Sequence, residues 1–153
     1  SHFIHVRRDP RDVVVSTMAR FPHLTNYGRA TPRRCMERWF DYEKAIEENL
    51  RLLPGYLKIE YTDITLNLTS TLHKICQHIK IEFHPAMLDY KNVEHDLPEW
   101  EEGSRDVQGI ESIQDSTHLT QPGKLTLDEK ATFNEFSDRI EMSGYPAQTY
   151  HLP

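Results

Sequence analysis

Arg8-Asp9-Pro10-Arg11-Asp12-Val13-Val14-Val15-Ser16, followed by Arg20, is the stretch whose residue types could do chemistry. Arginine offers a planar fork that grips phosphate oxygens two at a time. Ser16 and Arg20 are four apart, so on a helix they share a face. A guanidinium at a strand end, with a hydroxyl and a second guanidinium on the adjoining helix, could close around one phosphate. Open α/β sheets bind ligands at the carboxyl ends of their strands, and helix N-termini there attract anions. The same residues also allow a plainer arrangement, with Arg8 paired to an acid, Ser16 packed and Arg20 solvated.

The charge distribution fits a local anion site. The 153 residues carry a net charge of −6. Residues 1–38 hold eight arginines, no lysine and three acids, a net of +5, whereas the remainder holds ten basic and 21 acidic residues. A basic N-terminal quarter on an acidic chain suggests one anion site and argues against a nucleic-acid coat, which needs a wider basic surface. At 37% hydrophobic and 27% charged the composition is that of a globular chain. No apolar run reaches the roughly 20 residues of a membrane helix. No secretory pattern is seen, and a cytoplasmic location is the expectation. Two cysteines, Cys35 and Cys76, are too few for a disulfide framework.

These residues need elements to position them. Residues 3–7 read as a short strand. Asp9 as cap and Pro10 at the first helical position predict a helix to about Phe21, stopped by Pro22. Three successive valines are poor helix formers, so packing against a sheet would have to hold them. A long helix is predicted from Thr31 or Pro32 to Leu53, with Met36, Trp39, Phe40, Ile46 and Leu50 at helical spacing. Pro54-Gly55 ends it. Tyr56 to Tyr61 reads as a second strand, and 67–80 as an amphipathic helix. Thr126 with Glu129 makes a capping box for a last helix ending at Gly144. The order of elements is that of an α/β layer with a parallel sheet. Residues 90–123 read as an irregular loop region.

Other residues carry less. The nine histidines, His73 and His78 among them, have spacings unsuited to a metal, and no metal site is expected. Asn67-Leu68-Thr69 fits a glycosylation pattern, but Asn67 at a helix start reads better as a cap. The acidic run Glu94 to Glu102, with Trp100, reads as a solvated loop.

Arg8-Asp9-Pro10-Arg11-Asp12, with Ser16 eight residues after Arg8, resembles the 3′-phosphate-binding segment of the PAPS-dependent sulfotransferases. PAPS is 3′-phosphoadenosine 5′-phosphosulfate, the sulfuryl donor. The resemblance implies that Arg8 and Ser16 bind the 3′-phosphate. Arg20 matches an arginine that some branches, including the tyrosylprotein enzymes, place four residues after the serine. Leu57 to Asp63 resembles the family's strand ending in Tyr-Glu-Asp, with Thr62 in place of the Glu, which implies an adenine contact for Tyr61. Trp39, the helix ending Ile75 to Ile79, the stretch Phe83 to Tyr90, and Lys124 to Pro146 fit the family's order. Ser116 and Lys124 fall near its late cofactor-contacting loop without an assigned role.

The resemblance implies an α/β fold of the P-loop nucleotide-kinase-like type, a three-layer parallel-sheet fold of which residues 1–153 would be the C-terminal portion of one domain. It implies sulfuryl transfer from PAPS to a hydroxyl or amine acceptor, leaving adenosine 3′,5′-bisphosphate. The family's phosphate loop and catalytic base precede the 3′-phosphate segment. The expectation is therefore that the catalytic residues lie in a longer parent and that this chain alone is inactive. Acceptor and oligomeric state are not legible. A nucleotide kinase would need Walker-type loops and magnesium-binding acids, which this sequence lacks. The other alternative is a non-catalytic interaction domain whose Arg-rich N-terminal segment binds an acidic partner.

Overall fold

Local chemistry sets the element boundaries. Asp9 stands at the cap position, and its Oδ1 accepts the Arg11 backbone N–H at 2.9 Å. Pro10 follows as the first residue of helix α1, Pro10–Arg20, as the sequence predicts. Strand β1, Phe3–Arg7, precedes it. The computed structural model describes residues 2–20, 30–53, 55–89 and 122–152. Thr31 caps helix α2, Pro32–Asn49, through its side chain. The helix tightens into a 3₁₀ turn over Leu50–Leu52, so the predicted long helix ends as a tight coil rather than an α-turn.

Strand β2 covers Tyr56–Glu60. Tyr61 is therefore not the last strand residue, as predicted, but the first residue of helix α3, Tyr61–Leu66. Helix α4 spans Leu68–Ile79, and a 3₁₀ turn covers Pro85–Leu88. Asn67 holds the cap position of α4, yet its side chain makes no capping bond. The Asn67 carbonyl instead accepts the Thr71 N–H at 3.0 Å and the Ser70 hydroxyl at 3.1 Å.

The capping box at Thr126 is present in both directions, and helix α5 runs over Leu127–Glu135. The last helix is divided: Phe136 leaves helical geometry, and α6 covers Ser137–Met142. Hydrogen bonds on both sides survive, Phe136 N–H to Thr132 at 3.0 Å and Ile140 N–H to Phe136 at 2.9 Å. The division is thus a one-residue loosening, at a buried ring stacked on Phe40. Gly144, at φ 93°, closes α6. The bonds Tyr145 N–H to Ile140 and Gly144 N–H to Glu141 are those of a Schellman turn, which needs a left-handed residue there.

The chain is mixed α/β, with β1 and β2 forming a parallel two-stranded sheet in the register Phe3↔Tyr56 to Arg7↔Glu60. It divides into two units, and the chain passes from one to the other between Arg7 and Arg8 and again after Leu53. The first unit holds β1, β2, α3 and α4, with Ile59, Thr65, Thr71 and Cys76 buried. Arg7, facing Glu60 across the strands, approaches its carboxylate to 3.7 Å. The second unit holds α1, α2, α5 and α6. Its core is Val14, Met36, Trp39, Phe40, Leu125, Phe133, Phe136, Ile140 and Tyr150, with Val13 and Val15 packed against it. A helical core thus supplies packing that overrides the weak helix propensity of the three valines. Residues 90–121, including the acidic run, Trp100 and Ser116, lie outside the described residues, as do Phe21 and Pro22. Among the described residues no helix is long and apolar enough to cross a membrane.

Candidate functional site

Spacing on α1 sets the geometry of the candidate anion site. Arg8, Asp12, Ser16 and Arg20 recur every fourth residue, so those on α1 form one stripe along it. Arg8 reaches onto that stripe: its Nε lies 3.7 Å from Asp12 Oδ2. The Arg8 side chain is 19% exposed and the Asp12 side chain 3%. Ser16 is half-buried one turn beyond Asp12, and Arg20 closes the helix one turn beyond Ser16. Arg8, just before α1, and Ser16, on it, belong to the same unit. The structure also realises the pairing of Arg8 with an acid that the sequence left open.

The other acid is matched as well. Arg11, 4% exposed, turns its guanidinium back on Asp9, with Nε 2.9 Å from Oδ1 and Nη2 2.5 Å from Oδ2. This is a two-point grip, the strongest form of the arginine–carboxylate contact. Burial pulls the Arg11 guanidinium down, but its bonds and attraction to Asp9 outweigh this and leave its pKa above the ordinary value. Within residues 8–12 two arginines therefore meet two aspartates, each in a pair.

The helix start offers few backbone donors. Pro10 has no N–H. The Arg11 N–H is taken by Asp9 Oδ1, and the Val13 N–H by the Asp9 carbonyl at 3.1 Å. An anion held here would therefore meet side chains more than helix amides. The donor set, a guanidinium and a hydroxyl on one stripe, has the chemistry that a phosphate requires.

Helix α2 fixes the junction from behind. The Trp39 indole N–H donates to the Arg8 carbonyl at 3.1 Å, and its ring meets Phe40 edge-on at 5.0 Å. Trp39→Phe keeps most of the buried ring and removes the donor. The expected cost is about 1 kcal/mol, read as a lowered urea midpoint at an unchanged slope.

Tyr61 belongs to the other unit. It is half-buried at the first position of α3. The α3 turn is tied to α4 through the Thr71 hydroxyl, which donates to the Asp63 carbonyl at 2.9 Å. Lys124 ends a 3₁₀ turn over Pro122–Lys124 and is exposed.

Sequence reasoning did not anticipate the partners of Arg11. Its Nη1 lies 3.4 Å from Gln148 Oε1, which also accepts the Tyr150 hydroxyl at 2.7 Å. A separation of 137 positions leaves no periodic signal that could have pointed to Gln148.

Comparison with known families gives a match over the first part of the chain. A family model described as "Sulfotransferase family" matches residues 1–85, which include Arg8, Ser16, Arg20 and Tyr61. No curated protein and no solved structure matches the chain.

Proposed function

Because the chain belongs to the sulfotransferase family, we propose that it serves sulfuryl transfer from PAPS to a hydroxyl or amine acceptor, contributing the contacts to the donor's 3′-phosphate and adenine. Arg8, Ser16 and Arg20 hold the 3′-phosphate in this reading, and Tyr61 meets the adenine. The observation that carries it is the approach of the Arg8 guanidinium, from just before α1, to the buried Asp12 carboxylate at 3.7 Å, with the Ser16 hydroxyl one helical turn beyond Asp12.

PAPS when bound supplies an activated sulfuryl group, displaced in line much as a phosphoryl group is. The residues of this chain act at a distance from that centre. Arg8 donates guanidinium N–H bonds to phosphate oxygens, and Asp12 holds its Nε edge toward the helix. Ser16 donates its hydroxyl to the same group, and Arg20 adds charge from the next turn. Binding energy gained at this remote anion fixes the donor and is available to the reacting end. The fold proposed for the whole is the three-layer, P-loop nucleotide-kinase-like type, of which the parallel β1–β2 pair would be one part.

Titrating the chain with adenosine 3′,5′-bisphosphate at low and moderate salt tests the proposal. Saturable, stoichiometric binding that persists at about 0.15 M salt is expected. Weak, non-saturating binding that disappears with salt would overturn it and favour an interaction domain for an acidic partner.

A further inference from the structure

The bonds around Arg11 lead away from α1 to the end of the described chain. Tyr150, 4% exposed, lies in the core with its ring 5.5 Å from that of Phe133. Its backbone is held twice by one side chain. Asn134 Nδ2 donates to the Tyr150 carbonyl at 2.7 Å, and the Tyr150 N–H donates to Asn134 Oδ1 at 2.8 Å. A side-chain amide thus replaces a paired strand for this single residue, using one donor and one acceptor. The Tyr150 hydroxyl donates to Gln148 Oε1, which receives Arg11 Nη1 from the other side. Arg11 then grips Asp9, the cap of α1. Helix α5, the segment 148–150 and the first turn of α1 form one connected series within one unit.

This series has an electrostatic consequence. Asp9 and Asp12 bring two carboxylates to the place where an anion is to bind. Arg8 meets Asp12, and Arg11 meets Asp9. If Arg11 swung away, the Asp9 carboxylate would face an incoming phosphate uncompensated, and the α1 cap would lose its second support. The fork on Asp9 needs the guanidinium plane fixed, and Gln148 and Tyr150 are the groups on its far side. Burial pushes the Tyr150 phenol up against the opposing effect of nearby Arg11, so the hydroxyl keeps its proton to donate to Gln148.

We infer that the segment 148–150, clasped by Asn134, is a latch that sets Arg11 on Asp9 and so holds the start of α1 ready for the 3′-phosphate. Arg11, Asn134 and Tyr150 are positioning residues: they act through Asp9 and the helix start. The inference rests on the function proposed above.

Two variants and two measurements test it. Asn134→Ala removes both bonds to the Tyr150 backbone, and Tyr150→Phe keeps the ring in the core while removing the hydroxyl. The first measurement is amide hydrogen exchange over residues 12–15, which needs no ligand. The second is the ratio of affinities for adenosine 3′,5′-bisphosphate and adenosine 5′-monophosphate, which a general loss of stability does not move. Expected are faster exchange at the start of α1 and a preference for the bisphosphate lowered about tenfold, the usual scale for a lost supporting shell. Should Asn134→Ala fail to fold, Tyr150→Phe carries the test alone. Unchanged exchange overturns the latch, whatever the ligand does. Faster exchange with an unchanged affinity ratio overturns its role in binding. Faster exchange in a chain whose unaltered form does not bind the bisphosphate leaves the mechanical latch standing and overturns the proposed function.

Discussion

Arg8→Ala is expected to weaken adenosine 3′,5′-bisphosphate binding by about 2–3 kcal/mol, roughly 30- to 150-fold. Two effects point the same way. The phosphate loses charge-assisted bonds from a planar fork. Asp12, whose side chain is 3% exposed, also loses the cation that Arg8 brings to 3.7 Å, so its carboxylate repels the ligand. Calorimetry with the bisphosphate and with adenosine 5′-monophosphate separates the site from general damage. Only the first ligand should weaken strongly, because only it carries the 3′-phosphate. Arg8→Lys is the companion variant. It keeps a positive charge near Asp12 but loses the fork, so its loss should fall between parent and alanine. Equal bisphosphate affinity in parent and Arg8→Ala would remove Arg8 from the site.

Phe133→Ala is expected to cost about 3–5 kcal/mol of stability, the largest effect of any single change considered. Phe133 is 1% exposed and, among the described residues, heads the fully buried side chains by size. It lies in the same cluster as Val14 of α1, Trp39 of α2 and Tyr150. Removing its ring leaves a cavity in a core to which α1, α2, α5, α6 and Tyr150 all contribute, and a close-packed interior collapses only in part around such a gap. Urea unfolding reads the loss as a lower midpoint. Met142→Ala is the control, since Met142 is 87% exposed and should shift stability by no more than about 0.5 kcal/mol. Similar midpoints for the two variants would mean that the cluster does not hold this unit together.

The elements that carry the proposed site were legible in the sequence for a definite reason. Arg8 follows a short strand, Ser16 and Arg20 share the four-residue spacing of a helix, and that helix is announced by Asp9 and Pro10 at its start. Tyr61 reads in the sequence as a strand end but opens a helix, because strand and helix meet there without glycine or proline between them. That Arg8 could pair with an acid was open in the sequence; that the acid is Asp12, and that Arg11 takes Asp9, was not legible there. Four alternating charges allow several pairings, and only the buried position of each side chain selects one.

What the residues determined alone are the features completed within a few positions. The α1 start at Asp9-Pro10, the capping box of Thr126 and Glu129, and the left-handed Gly144 each satisfy local backbone groups with neighbours that the chain cannot move far away. Tertiary structure decided the rest: the register Phe3↔Tyr56, the indole of Trp39 on the Arg8 carbonyl, the clasp of Asn134 on Tyr150, and the helical state of Val13 to Val15. Those depend on groups brought together from distant positions. Their energy comes from burial and from bonds shielded from water, which exist only once the chain has closed around them.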